Sequence, residues 1–378
     1  MKFRILRPAL ADGVAQVSKA VSQKTTIPIL TGIKIKVDDE GIELTGSNSD
    51  ITIQVRIPRF VEDQEQVSVD QPGEIVLPGR VFSEIIRKLP DDEVEFTVNG
   101  RWITKIRSGQ AQFQLNGLDA SEYPRLPLLE EDQVFSLPSD LLQSMIMQTH
   151  FATSASETRG VLRGVLWQLE KGKLRFVATD SHRLSRREAE VESPEELVLN
   201  NVIVPGKSMS ELAKLLSDYK GLVDVIVTEN QILIRVEHLL FFSRLLNGTY
   251  PDTDRVIPRG GKTEIITSTR TLLESVDRAS LISRDDRDNV IKCIVNGDNR
   301  LEITSAAQDI GRATEEVTAE VSGETMEISF NAHYMMEALR AIDSEQIRIL
   351  MTGTMTPFLI QPVGDESVLH LIVPVRTN

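Results

Sequence analysis

The chain has 378 residues, a formal net charge of −14, 40% hydrophobic and 26% charged residues, and a single cysteine, Cys293. That length exceeds one ordinary core and points to two or three domains of a globular protein. One cysteine excludes an internal disulfide framework, and with only five histidines no zinc spacing exists. No apolar run approaches the ~18 residues of a membrane span, and "MKFRILRPALADG" lacks the apolar core of a signal peptide, so a cytoplasmic location is expected.

In chain order, Leu10, Val14, Val17 and Val21 recur at helical spacing and predict a helix over 7–26. "GIKIKVDDEGIELTG" (Gly32 to Gly46) then alternates apolar and polar residues on both sides of a turn, the period of a β-hairpin. "IVLPGRVFSEIIRKLP" (Ile75 to Pro90) reads as a strand, a Pro-Gly turn and a basic helix over 79–90. The same three signals then return. A helix is predicted over 138–159, a hairpin at Gly164 to Ala178, and "VIVPGKSMSELAKLLS" (Val202 to Ser217) repeats the strand, turn and helix at an offset of 127 residues. A third round gives a helix over 267–287, a hairpin at Lys292 to Thr304, and "ISFNAHYMMEALRAI" (Ile328 to Ile342). Here Asn331 takes the place of Pro78 and Pro205. The expected architecture is therefore α+β: three tandem repeats, 1–126, 127–254 and 255–378, each with two helices packed on about eight short antiparallel strands. A period this long lies outside the solenoid range and reads as duplication of a whole module.

Charge is unevenly spread. The six predicted helices hold 14 Lys and Arg against 10 Asp and Glu, so they are mildly basic on an acidic chain. Such a distribution discourages indiscriminate adhesion to nucleic acid and permits contact at one face.

No catalytic constellation stands out. "PGKS" at Pro205 to Ser208 lacks the first glycine of a phosphate-binding loop, since Asn201 occupies that place. "TDSHRL" at Thr179 to Leu184 puts Asp, Ser and His side by side, where neighbouring side chains diverge rather than converge as a triad. "DDRD" at Asp285 to Asp288 has no fixed ligand spacing. A nucleotide-dependent enzyme using the PGKS and DDRD segments is the alternative reading, and a scaffold of repeated β modules a third. The absence of a catalytic set favours a binding role without cofactor or metal.

Several ordered motifs carry a resemblance. "TTIPILTGI", "NGLDASEYPRLP", "ATDSHRL", "YPDTDRVIP" and the final "LHLIVPVR" resemble the bacterial DNA polymerase III β-subunit family, the sliding clamps, and those of Gram-positive type in particular. The resemblance runs over essentially the whole chain. It implies a DNA clamp fold in which two chains close head to tail as a six-module ring lined by helices. It also implies a non-catalytic processivity factor that encircles duplex DNA without reading its sequence. The implied partners are the polymerase III catalytic subunit, the clamp loader complex, and other polymerases and repair proteins bearing short clamp-binding peptides.

Carried over residue by residue, the peptide pocket comprises Leu162, Thr179, His182, Arg183 and Leu184, then Pro251, Arg255, Val256, Asn331, Tyr334 and Met355, then Ile372, Val373, Pro374 and Arg376. Arg183, His182 and Arg376 are expected at its rim. Ser181 stands where the family often has glycine, Pro357 where a small polar residue can occur, and the chain ends in Thr377-Asn378. DNA-facing candidates are Lys24, Arg80, Arg159 and Lys207. The homodimer joint is expected to bring Phe113 and Leu115 against Leu281 and Ile282. Simple membership of a core is the competing reading of those four.

Overall fold

A computed structural model describes residues 1–22, 25–125, 134–217, 219–284, 289–297 and 299–376. Lys24, Asp285 to Asp288 and the Thr377-Asn378 end lie outside the described residues.

The first repeat runs β1 (Lys2–Leu6), α1 (Arg7–Ser18), β2 (Gly32–Asp38), β3 (Gly41–Ser47) and β4 (Ile51–Pro58). A small hairpin, β5 (Phe60–Val61) and β6 (Gln64–Glu65), precedes β7 (Val67–Gln71), β8 (Gly73–Pro78) and α2 (Gly79–Lys88). A meander of β9 (Glu93–Val98), β10 (Ile103–Ser108) and β11 (Ala111–Asn116) closes it. The second repeat runs β12 (Val134–Pro138), α3 (Ser139–Met147), β13 (Gly164–Glu170), β14 (Lys173–Thr179) and β15 (Arg183–Glu190). It ends with β16 (Leu199–Pro205), α4 (Gly206–Leu216) and the meander β17 (Leu222–Val227), β18 (Gln231–Val236) and β19 (Leu239–Arg244). The third runs β20 (Thr263–Ser268), α5 (Thr269–Ser283), β21 (Val290–Val295), β22 (Arg300–Ala307) and β23 (Gly311–Gly323). It finishes with β24 (Met326–Asn331), α6 (Ala332–Arg340), β25 (Gln346–Met351), β26 (Phe358–Pro362) and β27 (Val368–Ile372).

All six helices start within two residues of the predicted position, and several stop early. α1 ends at Ser18, whose Oγ donates to Val14 O at 2.6 Å and pairs with Ser83 Oγ of α2 at 2.8 Å. α3 ends at Met147, and Thr149 Oγ1 turns back onto Met145 O at 2.7 Å, a hydroxyl competing with the helix ladder. α6 is preceded by Asn331, whose Oδ1 accepts from His333 N and Tyr334 N. The asparagine that replaces the repeat's proline is thus an N-cap.

Compactness divides the chain differently from the repeats. One unit comprises Met1–Asp140 with Lys214–Leu245, the other Leu141–Ala213 with Leu246–Asn378. In the first unit a five-stranded sheet has the order β11-β10-β9-β1-β7, and an eight-stranded sheet the order β12-β17-β18-β19-β4-β3-β2-β8. α1 packs Leu10, Val14 and Val17 inward, and α2 adds Phe82 and Ile86. A Cβ on Gly46 of β3 would come within 2.2 Å of Val17 O, so glycine is what lets α1 lie this close to the sheet. In the second unit one twelve-stranded sheet has the order β16-β13-β14-β15-β27-β26-β25-β20-β23-β22-β21-β24. α5 and α6 bury Leu272, Val276, Ala279, Met335 and Leu339 in its largest core. The division falls through the second repeat because sheets continue across repeat boundaries: β19 pairs with β4 of the first repeat, and β15 with β27 of the third. Among the described residues no helix is long and apolar enough to cross a membrane.

Candidate peptide cleft and dimer joint

The β14–β15 turn fixes one wall of a cleft in the second unit. Asp180 Oδ1 accepts from His182 N at 2.9 Å and Arg183 N at 3.1 Å, and Ser181 takes a left-handed φ of 80°. That conformation accounts for the family's glycine at this position; serine bears a modest steric cost there. Thr179 Oγ1 donates to Arg183 O at 2.6 Å and closes the turn. Tyr250 OH accepts from Thr179 N at 3.1 Å, tying the segment after β19 to the same place. Burial pushes the Tyr250 phenol well above its ordinary value, so it stays protonated and hydrogen-bonding.

The cleft encloses about 290 Å³. Seven of the expected pocket residues line it: Leu162, Thr179, Arg183, Leu184, Pro251, Val256 and Val373. Ser181 and Pro357, the two departures from the family pattern, also line it, as do Asp252, Thr253 and Leu371, which were not expected. Leu371 was findable from alternation within its own segment, two residues before the expected Val373; in the structure it lies directly opposite Leu184 across β15 and β27. Val256, half of its surface exposed, is an apolar side chain available to a ligand.

The other expected residues are not among those lining this cleft. Ile372 and Pro374 are buried, Ile372 within the core under α5 and α6. Asn331 spends its side chain capping α6. Arg255 is exposed and held by Asp252 at 2.7 Å, and Met355 and Arg376 are exposed. His182 is exposed, and its ring lies 6.4 Å from that of Tyr334.

Arg183 corrects the expectation of a rim charge. Its side chain is only 10% exposed. Nε donates to Asp180 Oδ2 at 3.1 Å, one terminal nitrogen to Phe151 O at 2.6 Å, and the other to Glu337 Oε2. The guanidinium also sits over the Tyr334 ring at 4.4 Å and the Phe151 ring at 5.4 Å. A buried charge is tolerable only when so paired, and removing one partner of such a set costs about 3–5 kcal/mol. Arg183 therefore anchors α6 and Tyr334 against the turn, and its polar atoms are committed within the protein.

The motifs weighed for catalysis have structural roles. Pro205 and Gly206 make the step from β16 into α4, with Ser208 buried. In "TDSHRL" the aspartate binds the arginine and backbone rather than the histidine.

Of the DNA-facing candidates, Arg80 is exposed on α2 and pairs with Glu84 at 3.4 Å, and Lys207 is exposed at the start of α4. Arg159 is exposed in the 3₁₀ segment Glu157–Arg163, which also carries Leu162 of the cleft.

The four joint residues are not core. Phe113 is 38% and Leu281 58% exposed, while Leu115 and Ile282 are half-buried. Phe113 and Leu115 sit on β11, the edge of its sheet. Residues 311–318 of β23 pair only with β22, because β20 takes just 319–323. Both edges are open among the described residues.

Family models of the DNA polymerase III beta subunit match the chain throughout: the N-terminal domain over residues 1–127, the central domain over 136–252 and the C-terminal domain over 254–376. The beta sliding clamp of Bacillus subtilis (strain 168) is 49% identical over the full length of both chains, and that of Staphylococcus aureus 43%. The crystal structure of the Bacillus subtilis DNA polymerase sliding clamp superposes with a TM-score of 0.97 and full coverage of both chains. The beta subunit of Streptococcus pyogenes DNA polymerase, 34% identical, gives 0.93, again over all of both chains. The fold is the DNA clamp fold, and the chain belongs to the bacterial DNA polymerase III β-subunit family, the β sliding clamps.

Proposed function

We propose that two copies of this chain close as a ring around duplex DNA and hold the replicative polymerase there, as a processivity factor that catalyses nothing itself. One observation carries the closure. Each repeat has a hairpin third strand (β4, β15 and β23) and a meander third strand (β11, β19 and β27). Within the chain β4 pairs with β19 and β15 with β27, which leaves β23 and β11 as the equivalent unpaired edges. An open edge is a ready template for pairing with another chain. Head-to-tail pairing of β23 with the partner's β11 makes two identical joints and six modules.

The repeats also support one register. Thr52 opposes Phe242 and Leu184 opposes Leu371, and the turns place Arg312 in register with Thr52 and Leu184, and Gln114 with Phe242 and Leu371. Arg312 then faces Gln114 of the partner subunit, and Ala313 faces Phe113 of the partner subunit. Phe113 and Ala313 both belong to the inward face of their strands, so the register matches apolar to apolar without having been chosen for it.

The exposed Arg80 and Lys207 open helices at equivalent points of the first two repeats, and we assign them to the phosphate backbone. Glu84 tempers Arg80. Phosphate contacts carry no sequence information, and a weak pull permits sliding. Lys24, which lies outside the described residues, joins them by the family resemblance alone. The repeat boundaries are placed at 126/127 and 254/255, and the working compartment is the cytoplasm.

The cleft between β14–β15 and the segment at Pro251 to Val256 is the docking site for short peptides of the polymerase III catalytic subunit, the clamp loader, and other polymerases and repair proteins. Leucine, valine and proline walls bury the apolar side chains, and backbone and hydroxyl groups orient the peptide. The test is anisotropy with a Gln-Leu-x-Leu-Phe type peptide. Leu184→Asp should weaken it by roughly tenfold or more. Unchanged affinity would place the site elsewhere.

A further inference from the structure

The peptide cleft has a counterpart in the first unit. The β3–β4 turn repeats the β14–β15 turn closely: Asn48 Oδ1 accepts from Asp50 N and Ile51 N, both at 3.0 Å, and Ser49 takes a φ of 79°. Tyr123 OH reaches back to Thr45 O, as Tyr250 reaches back to the Thr179 backbone. Beside this turn lies a second cavity, of about 180 Å³. Much of its lining is equivalent to that of the peptide cleft. Leu30 stands for Leu162, Ser49 for Ser181, Thr52 for Leu184, Phe242 for Leu371, Gln231 for Pro357 and Arg244 for Val373. Pro124 and Arg125 follow Tyr123 as Pro251 and Asp252 follow Tyr250.

The substitutions change the chemistry from apolar to cationic. Arg125 and Arg244 are exposed, and neither has an ion-pair partner among the described residues. Asp50, the one acidic residue of the lining, leaves a local surplus of positive charge on a chain of net −14. Gln231 Oε1 is buried and has no hydrogen-bond partner, so the cavity wants a donor as well as an anion. Phe242 and Leu30, both buried, give an apolar floor. The smaller volume admits one side chain with its peptide group, rather than a Leu-Phe pair.

We infer that this cavity is a second peptide site, selective for an acidic residue: its carboxylate takes Arg125 and Arg244, and a peptide N–H takes Gln231 Oε1. Charge-assisted arginine–carboxylate hydrogen bonds supply the selectivity. Inorganic phosphate offers the anion but no apolar group to cover the Leu30 and Phe242 floor, so a peptide is the better match. The inference rests on reading the equivalent cleft as a peptide site, and its test separates the two.

The full-length dimer is titrated against fluorescein-labelled Gly-Glu-Leu-Gly and Gly-Gln-Leu-Gly, read by anisotropy. The glutamate peptide should bind saturably and about tenfold or more tighter than the glutamine peptide, with affinity falling as salt rises. Arg125→Glu with Arg244→Glu should abolish binding of the glutamate peptide while dimer mass and Gln-Leu-x-Leu-Phe binding persist, which shows that the variant is folded. Leu184→Asp should do the reverse. No saturable binding, equal binding of both peptides, displacement by inorganic phosphate at equal concentration, or loss in Leu184→Asp overturns the inference. Failure of the wild type to bind the Gln-Leu-x-Leu-Phe peptide overturns the reading of the first cleft instead.

Discussion

Charging the dimer joint should take the ring apart, and the size of the effect follows from exposure. Leu281 keeps 58% of its surface exposed in the single chain. Fully burying a leucine is worth about 1.5–3 kcal/mol, so its share of the joint is about 1–2 kcal/mol. A closed ring has two joints and the loss counts twice, roughly 2–4 kcal/mol before any charge is introduced. Leu281→Asp with Ile282→Asp also forces carboxylates into a joint built around apolar side chains, which adds several kcal/mol more. The dimer Kd should therefore rise by more than about a hundredfold. Sedimentation across a dilution series reads it directly. Leu222→Asp, at a residue 68% exposed on β17 of the other unit, is the control and should leave the dimer intact. A Leu281/Ile282 double variant that remains dimeric with unchanged Kd would refute both the joint and the edge-pairing argument behind it.

The register itself can be tested by oxidation, because the native Cys293 is buried, with its thiol pushed up to about 12 by desolvation, and will not interfere. Gln112→Cys with Thr314→Cys should give a covalent dimer under mild oxidation, whereas Gln112→Cys with Ala313→Cys, which point to opposite faces, should not; the opposite pattern would mean a slip of one residue. His370 is buried against Phe151, its Nδ1 2.9 Å from Ser185 Oγ, and burial lowers its pKa to about 3. The unfolded chain binds that proton below its ordinary value of about 6.5 and the folded chain does not, so this group's share of stability is full above pH 6.5 and is lost toward pH 3 at about 1.4 kcal/mol per pH unit. Denaturant titrations at pH 5 and 7 should show a smaller pH dependence for His370→Asn than for the wild type, and equal slopes would refute burial as a neutral imidazole. Tyr334→Ala removes the ring under Arg183 and should weaken Gln-Leu-x-Leu-Phe peptide binding by roughly tenfold with no change in dimer mass, as isothermal titration beside sedimentation would show.

Much of the fold was legible because it is written three times. The Pro-Gly turns at Pro78 and Pro205, the hairpin alternation and the helix stripes all signal local structure, and every helix starts within two residues of where they place it. Helix ends were less legible: the hydroxyl back-bonds of Ser18 and Thr149 depend on the local geometry of each turn. The grouping of sheets was not legible at all, since pairing of β4 with β19, or β15 with β27, is long-range and leaves no mark in either strand alone. The cleft was half legible. Residues on contiguous motifs, such as Thr179, Leu184, Pro251 and Val256, line it. Arg183 misled because charge suggests a rim, while its partners Asp180, Glu337 and Phe151 O come from three separate segments. The Ser49 turn and its cavity carry no motif of their own and emerge only when the repeats are compared in three dimensions.

The central claim is topological, and retention on DNA tests it most directly. The protein, loaded onto nicked circular duplex DNA by a clamp loader, is passed through a sizing column at moderate salt, before and after the circle is cut once. Encirclement predicts that the wild type co-elutes with the circle and is lost from the linear product, and that the Leu281/Ile282 double variant is lost from both. Equal retention on circle and linear DNA would mean binding along the duplex rather than around it, and would contradict the account.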